Sequence, residues 1–246
     1  MKQFRFVFMP LIVTILFFLT SCTGDDSKGP TGTDSTIVDT STNGVTTETS
    51  TIITTPQNIM IATHKVSDFA KWKASYDEHD SMRLANGIHS FVIGRGLQDS
   101  NMVFVVVKAD DMEKAKAFAK DPSLKRAMQK GGVIGAPTIS FATITWQDTA
   151  VISSSIRSRT TFTVKDWDAW QKNFADSKQE RINNGITDRA YGHDADDNKK
   201  VTLVTALADT AKAFAYYKSD ELKKRREASG VIGEPKRFLF RVVQRY

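Results

Sequence analysis

An internal repeat constrains this chain more than any other feature. Val66-Ser67-Asp68-Phe69-Ala70-Lys71-Trp72 returns as Val164-Lys165-Asp166-Trp167-Asp168-Ala169-Trp170. Gly132-Val133-Ile134-Gly135-Ala136-Pro137 returns as Gly230-Val231-Ile232-Gly233-Glu234-Pro235. Both pairs stand 98 positions apart (164 − 66 and 230 − 132). Asn86-Gly87-Ile88 with Asn184-Gly185-Ile186, Arg83 with Arg181, and Leu124-Lys125 with Leu222-Lys223 keep that register. One register held over so many positions implies two copies of one fold, and 246 residues suffice for two modest units.

Within the first copy the apolar pattern switches between two periods. Residues 58–65 read as a strand with Ile59, Ile61 and Thr63 on one face and Met60, Ala62 and His64 on the other. Apolar residues on both faces mark a strand covered on both sides. Ser67 or Asp68 then caps a helix whose inner stripe is Phe69, Trp72, Tyr76 and His79, extended by Met82 and Arg83. Asn86-Gly87 stops it, because glycine takes the left-handed conformation that ends a helix. Strands are expected at 88–95, 102–108 and 138–146. A second helix opens at Asp110 or Asp111, is interrupted at Asp121-Pro122 and ends at Gly131-Gly132. The second copy repeats these elements, with strands near 154–163, 186–193, 200–207 and 236–245. Strand, helix, strand, strand, helix, strand is the ferredoxin-like βαββαβ unit. The expected fold is α+β, with one unit at 58–147 and the other at 154–246. A four-stranded sheet with helices on one side leaves its other face bare. Packing the copies sheet to sheet covers both, at roughly 25 cal/mol per Å² of apolar area buried.

The run His64-Lys65-Val66-Ser67-Asp68-Phe69-Ala70-Lys71-Trp72-Lys73, then Tyr76-Asp77-Glu78-His79, Arg83 and Gly87, resembles the dimeric α/β-barrel superfamily. That superfamily includes the antibiotic-biosynthesis-monooxygenase-like proteins. The resemblance implies a barrel that most members build by dimerising through their sheets. This chain would build it alone, as a monomer with an internal pseudo-dimer. For function the resemblance implies a broad range: cofactor-independent oxygenases, haem-binding enzymes, isomerase-like proteins and members without a known role.

The N-terminus reads as an address. Lys2 and Arg5 precede a stretch from Phe6 to Leu19 that is apolar apart from Pro10 and Thr14, the layout of a secretory signal over 1–21. The stretch is short for a membrane span, which needs about 20 residues. Leu19-Thr20-Ser21-Cys22 resembles a bacterial lipobox, which implies cleavage before Cys22 and its lipidation with acyl chains of the palmitate type. Ordinary signal cleavage and an uncleaved anchor are the alternatives. Cys22 is the chain's one cysteine, so internal disulfides and cysteine-cluster metal sites are excluded. Residues 22–57 are rich in Thr, Ser and Gly and hold five acids against one lysine. Such a segment buries too little to order itself, so a flexible tether is expected. The implied location is the bacterial cell envelope, lipid-anchored, on the outer membrane and facing either the periplasm or the surface.

Candidate chemistry gathers on the helix stripe. His79 and Arg83 project from a face that must cover the sheet, and a buried charge is costly unless paired. His64 and His79 could act as base or ligand, and Arg83 could hold an anion. The bland account is a hydrogen-bonded histidine at the core edge and an arginine reaching solvent from the last helical turn, where it has a structural role such as capping helix carbonyls. His64 faces Phe162 across the repeat and His79 faces Ser177, which places any site in the first copy. Trp72 and Tyr76 are core or a stacking platform. The histidines lack metal-binding spacing, so no cofactor and no metal are expected, although haem needs a single axial histidine and stays open. The formal charge of +6 is spread thinly, and Lys223-Lys224-Arg225-Arg226 reads as a solvated helix face, so no nucleic-acid partner is expected. The sequence therefore points to a lipid-anchored protein that binds a small apolar or aromatic ligand through Trp72, Tyr76, His79 and Arg83. The alternatives are a cofactor-independent or haem-dependent monooxygenase using His64, His79 and Arg83, and an interaction module without a pocket.

Overall fold

The structure, a computed structural model, describes residues 50–246. The expected signal segment, Cys22 and most of the expected tether lie outside the described residues. The first copy runs β1 (Ile52–Ile53), β2 (Gln57–Val66), α1 (Phe69–Glu78), α2 (Asp80–Ala85), β3 (Ile88–Gly96), β4 (Met102–Ala109), α3 (Met112–Phe118), α4 (Pro122–Lys130) and β5 (Val133–Asp148). The second runs β6 (Ile156–Val164), α5 (Trp167–Asp176), α6 (Lys178–Asn183), β7 (Ile186–Asp194), β8 (Lys200–Leu207), α7 (Thr210–Tyr217), α8 (Asp220–Ala228) and β9 (Val231–Arg245). Each copy thus has the expected ferredoxin-like order.

Local sequence explains most boundaries. Asp68, Asp111, Asp166 and Asp209 cap their helices by accepting the amide of the residue three positions on. Each long helix expected after the first strand is two helices, because the chain leaves helical geometry at His79 and Ser177. Both side chains bond back to the carbonyl four residues earlier, His79 Nδ1 to Ser75 O and Ser177 Oγ to Asn173 O. That back-bonding bends helices. The fourth strands begin at Val133 and Val231, earlier than expected. A bulge opposite Thr63 and Lys65, with Gly135 at φ +72°, carries β5 through what reads as a turn. The tether also ends sooner than expected: Ile52 and Ile53 pair with Asp148 and Gln147.

The sheets do more than face each other. Their order is β1-β5-β2-β4-β3-β9-β6-β8-β7, and β5 pairs with β7 as well. The eight strands β2 to β9 therefore close into one barrel, with β1 added outside β5. Two seams join the copies, β3 with β9 and β5 with β7, and both are antiparallel. A glycine sits at the same place in each seam. A Cβ on Gly94 would lie 2.4 Å from the Phe240 ring, and one on Gly192 would lie 2.0 Å from Thr143 O. The repeated glycine lets the foreign strand approach.

Alternation along each strand separates two kinds of core. Met60 and Ala62 turn outward to the helices, in a cluster with Trp72, Ile88, Val105 and Phe118. Ile59 and Ile61 turn inward to the barrel lumen, with Phe104, Ile144 and Phe240. Two smaller clusters pack the helices of the second copy, around Trp167 and Trp170 and around Leu207 and Tyr216.

Candidate functional site

The expected site lies where β2 meets α1 and α2. His64, Trp72, Tyr76, His79 and Arg83 all line one hollow beneath these helices, so the structure brings the candidate residues together. His64 is only 4% exposed and neither ring nitrogen has a hydrogen-bond partner among the described residues. Burial pushes its imidazole down to about 4, so it is neutral at neutral pH. Its ring lies 5.5 Å from that of Trp72, and Tyr76 stacks on Trp72 at 5.2 Å. The Tyr76 hydroxyl meets Ser90 Oγ at 2.8 Å. His79 is tied to the Ser75 carbonyl at 2.6 Å. Arg83 lays its guanidinium 3.7 Å from the centre of the Tyr76 ring. It donates to Tyr76 O at 2.6 Å and to Asp80 Oδ1 at 2.9 Å. Arg83 thus does the carbonyl capping expected of it, but it is buried and does not reach solvent as the bland account had it, because it folds back under the helix, and its Nε has no partner among the described residues.

The hollow itself is small, about 70 Å³. That accommodates water, which needs ≳ 10–15 Å³ with polar partners, and His64 supplies such partners. It is less than half the roughly 150 Å³ of a cavity that takes benzene. Haem stays open: sites for drug-sized molecules measure about 300–1,000 Å³, so a haem whose iron reached His64 would need more room than this hollow now shows. Among the described residues no group of three histidines, cysteines or carboxylates could hold a metal ion.

The equivalent hollow in the second copy is larger, about 180 Å³. Phe162 replaces His64, Phe174 replaces Tyr76 and Ser177 replaces His79. Trp170 stacks on Phe174 at 5.0 Å and meets Phe162 at 5.5 Å. Arg181 repeats the role of Arg83 and completes it. Its Nε and a terminal nitrogen bind Asp188 at 2.8 and 2.6 Å, and the other binds Phe174 O at 2.7 Å. Tyr216 lines the floor, its hydroxyl pushed up first by burial and then by Glu180, which pairs with Arg225. Arg226, read from the sequence as part of a solvated helix face, and Arg237, not singled out there, complete the wall. Arg237 lies 3.6 Å over the Tyr217 ring, and its buried Nε has no partner among the described residues. Their counterparts are Met128 and Ile139, so comparing the copies at the 98-residue offset carries the signal that was missed.

A barrel closed by two βαββαβ units in one chain, with hollows between helices and sheet, is the dimeric α/β-barrel fold made intramolecularly. Comparison with known proteins agrees. Residues 57–156 match DUF3764, a domain of unknown function. No curated protein matches. A crystal structure of a candidate chlorite dismutase is similar with a TM-score of 0.54 and 13% identity, covering 77% of this chain and 96% of that one. An anthrone oxidase-like protein gives 0.51 and 14%, covering 78% and 94%. A candidate monooxygenase from Fusobacterium nucleatum gives 0.50 and 12%, covering 77% and 93%. At such identity the likeness is one of fold.

Proposed function

We propose that this chain binds a small aromatic molecule between the helices and sheet of its second copy. The observation that supports this most is the 180 Å³ hollow walled by Phe162, Trp170, Phe174 and Tyr216, with the unpartnered Arg237 Nε at its edge. Ligand pockets are mostly apolar with a few placed polar groups, and aromatic rings meet aromatic walls favourably in stacked or edge-on arrangements. A thermal-shift panel of small aromatic molecules tests the reading. Stabilising compounds should lose their effect in Arg237→Ile, which installs the residue of the first copy, and keep it in His64→Phe. A panel with no shift, or shifts abolished by His64→Phe alone, contradicts it.

A second reading is a monooxygenase-like enzyme, motivated by the descriptions of two structural neighbours. Its weakness is the base: a general base works best with a pKa near the operating pH, and His64 is held near 4 with no hydrogen-bond partner among the described residues to orient it. Oxygen uptake with quinol-type substrates, lost in both His64→Ala and His79→Ala, would favour catalysis over binding.

The address of the chain belongs to the same proposal. Cys22 in its lipobox-like setting supports a lipid anchor in the cell envelope, where several acyl chains would hold stably and one only marginally. No described helix is long and apolar enough to cross a membrane. Fractionation should find the chain with membranes and Cys22→Ala free of them; an unchanged membrane fraction for Cys22→Ala contradicts the anchor.

A further inference from the structure

The barrel lumen is not symmetric, although the two copies that build it are. Ile59, Ile61 and Phe91 of the first copy stand where the second has Arg157, Arg159 and Arg189, 98 positions on. All six residues line one lumen cavity of about 180 Å³. One wall is therefore apolar and the other cationic. Arg157 is 4% exposed and Arg189 7%, yet among the described residues only one carboxylate, Asp148, lines the cavity with them. Asp148 pairs with Arg189 at 3.2 Å, and no carboxylate among the described residues pairs with Arg157, Arg159 or Arg245.

The backbone aims these side chains. Asp188 pairs with Thr205 and Ala190 with Val204, so Arg189 is the extra residue of a β-bulge. Bulges re-aim side chains in this way. Arg157 and Arg189 also hold the segment that joins the copies. Arg157 donates to Ser154 O at 2.6 Å, and Arg189 to Ala150 O at 2.6 Å. Together with exposed Arg245 they ring a vestibule of about 240 Å³ that opens from the lumen beneath residues 149–155. Burial holds the Arg157 guanidinium down to about 10, with Arg245 and Arg189 adding to it. Mutual repulsion of this kind is relieved by an anion between the cations.

We propose that the lumen is a second binding site, separate from the hollows under the helices, for a small monocarboxylate with a compact apolar body. The carboxylate sits among Arg157, Arg189 and Arg245. The body lies along Ile59, Ile61 and Phe104. Arginine suits the first task through its planar fork of donors. The cavity exceeds the roughly 150 Å³ that takes benzene, so a body of that order fits.

Calorimetric titration of the full chain with benzoate and with benzyl alcohol tests this without any variant. Benzoate should bind at least about tenfold more tightly at low salt, as expected for charge-assisted hydrogen bonds. The preference should vanish in Arg157→Met and in the milder Arg157→Gln, and persist in Arg237→Ile and His64→Phe. Equal affinity for the two probes, or no binding of benzoate, overturns the proposal. So does a preference that survives both Arg157 variants or disappears in Arg237→Ile.

Discussion

His64 and Arg181 show how a buried polar residue can be either a liability or a strut. His64 has no hydrogen-bond partner among the described residues, and its folded pKa of about 4 lies below the usual 6.5. Between these values the unfolded chain binds the proton and the folded chain does not. The stability that His64 contributes in its neutral form is therefore complete above pH 6.5 and lost as pH falls towards 4, up to about 3 kcal/mol in all. Chemical denaturation at pH 7 and pH 4.5 should show this loss, and His64→Phe should be more stable than the parent at pH 4.5 and less dependent on pH. Arg181 and Asp188 are each under a tenth exposed and satisfy each other twice. Removing Arg181 strands a buried carboxylate, so Arg181→Ala should cost about 3–5 kcal/mol. Arg83→Ala should cost clearly less, because its partner Asp80 is half exposed. Equal losses in the two variants would mean that the carbonyl caps, not the ion pair, carry the energy.

At the level of the strand, closure depends on a glycine in each seam. The Gly192 position leaves no room for a Cβ beside Thr143 O, a backbone atom that cannot swing aside. Gly192→Ala should destabilise by about 1–3 kcal/mol, the usual penalty for overpacking. At Gly94 the obstacle is the Phe240 ring, so Gly94→Ala should cost less, readable as a smaller drop in melting temperature. The element order was legible in the sequence because the alternation over 58–65 is apolar on both faces and the helix stripes keep their period. Closure was not. Pairing between β3 and β9 leaves no apolar pattern of its own, since backbone hydrogen bonds are blind to side chains. The breaks at His79 and Ser177 were hidden for a related reason: the stripe runs through them unbroken, and only the side-chain bond to the preceding turn marks the bend.

Across the whole molecule, duplication supplied a symmetric scaffold whose two halves have since taken different linings. The candidate residues of the first copy do converge, as their shared helix face implied, but on a hollow smaller than its counterpart in the second copy. The roomier hollow and the cationic lumen wall both belong to the second copy. Their residues looked ordinary one at a time, and only the contrast of Ile59 with Arg157, or Ile139 with Arg237, distinguishes them. All of this presumes that the copies form one closed barrel. Amide hydrogen exchange reads that most directly. The account predicts that amides in the β3–β9 and β5–β7 seams are protected as strongly as those between β2 and β4 or β6 and β8, all opening together in global unfolding. Seam amides that exchange quickly while the pairings inside each copy stay protected would show two separate sheets, and would contradict it.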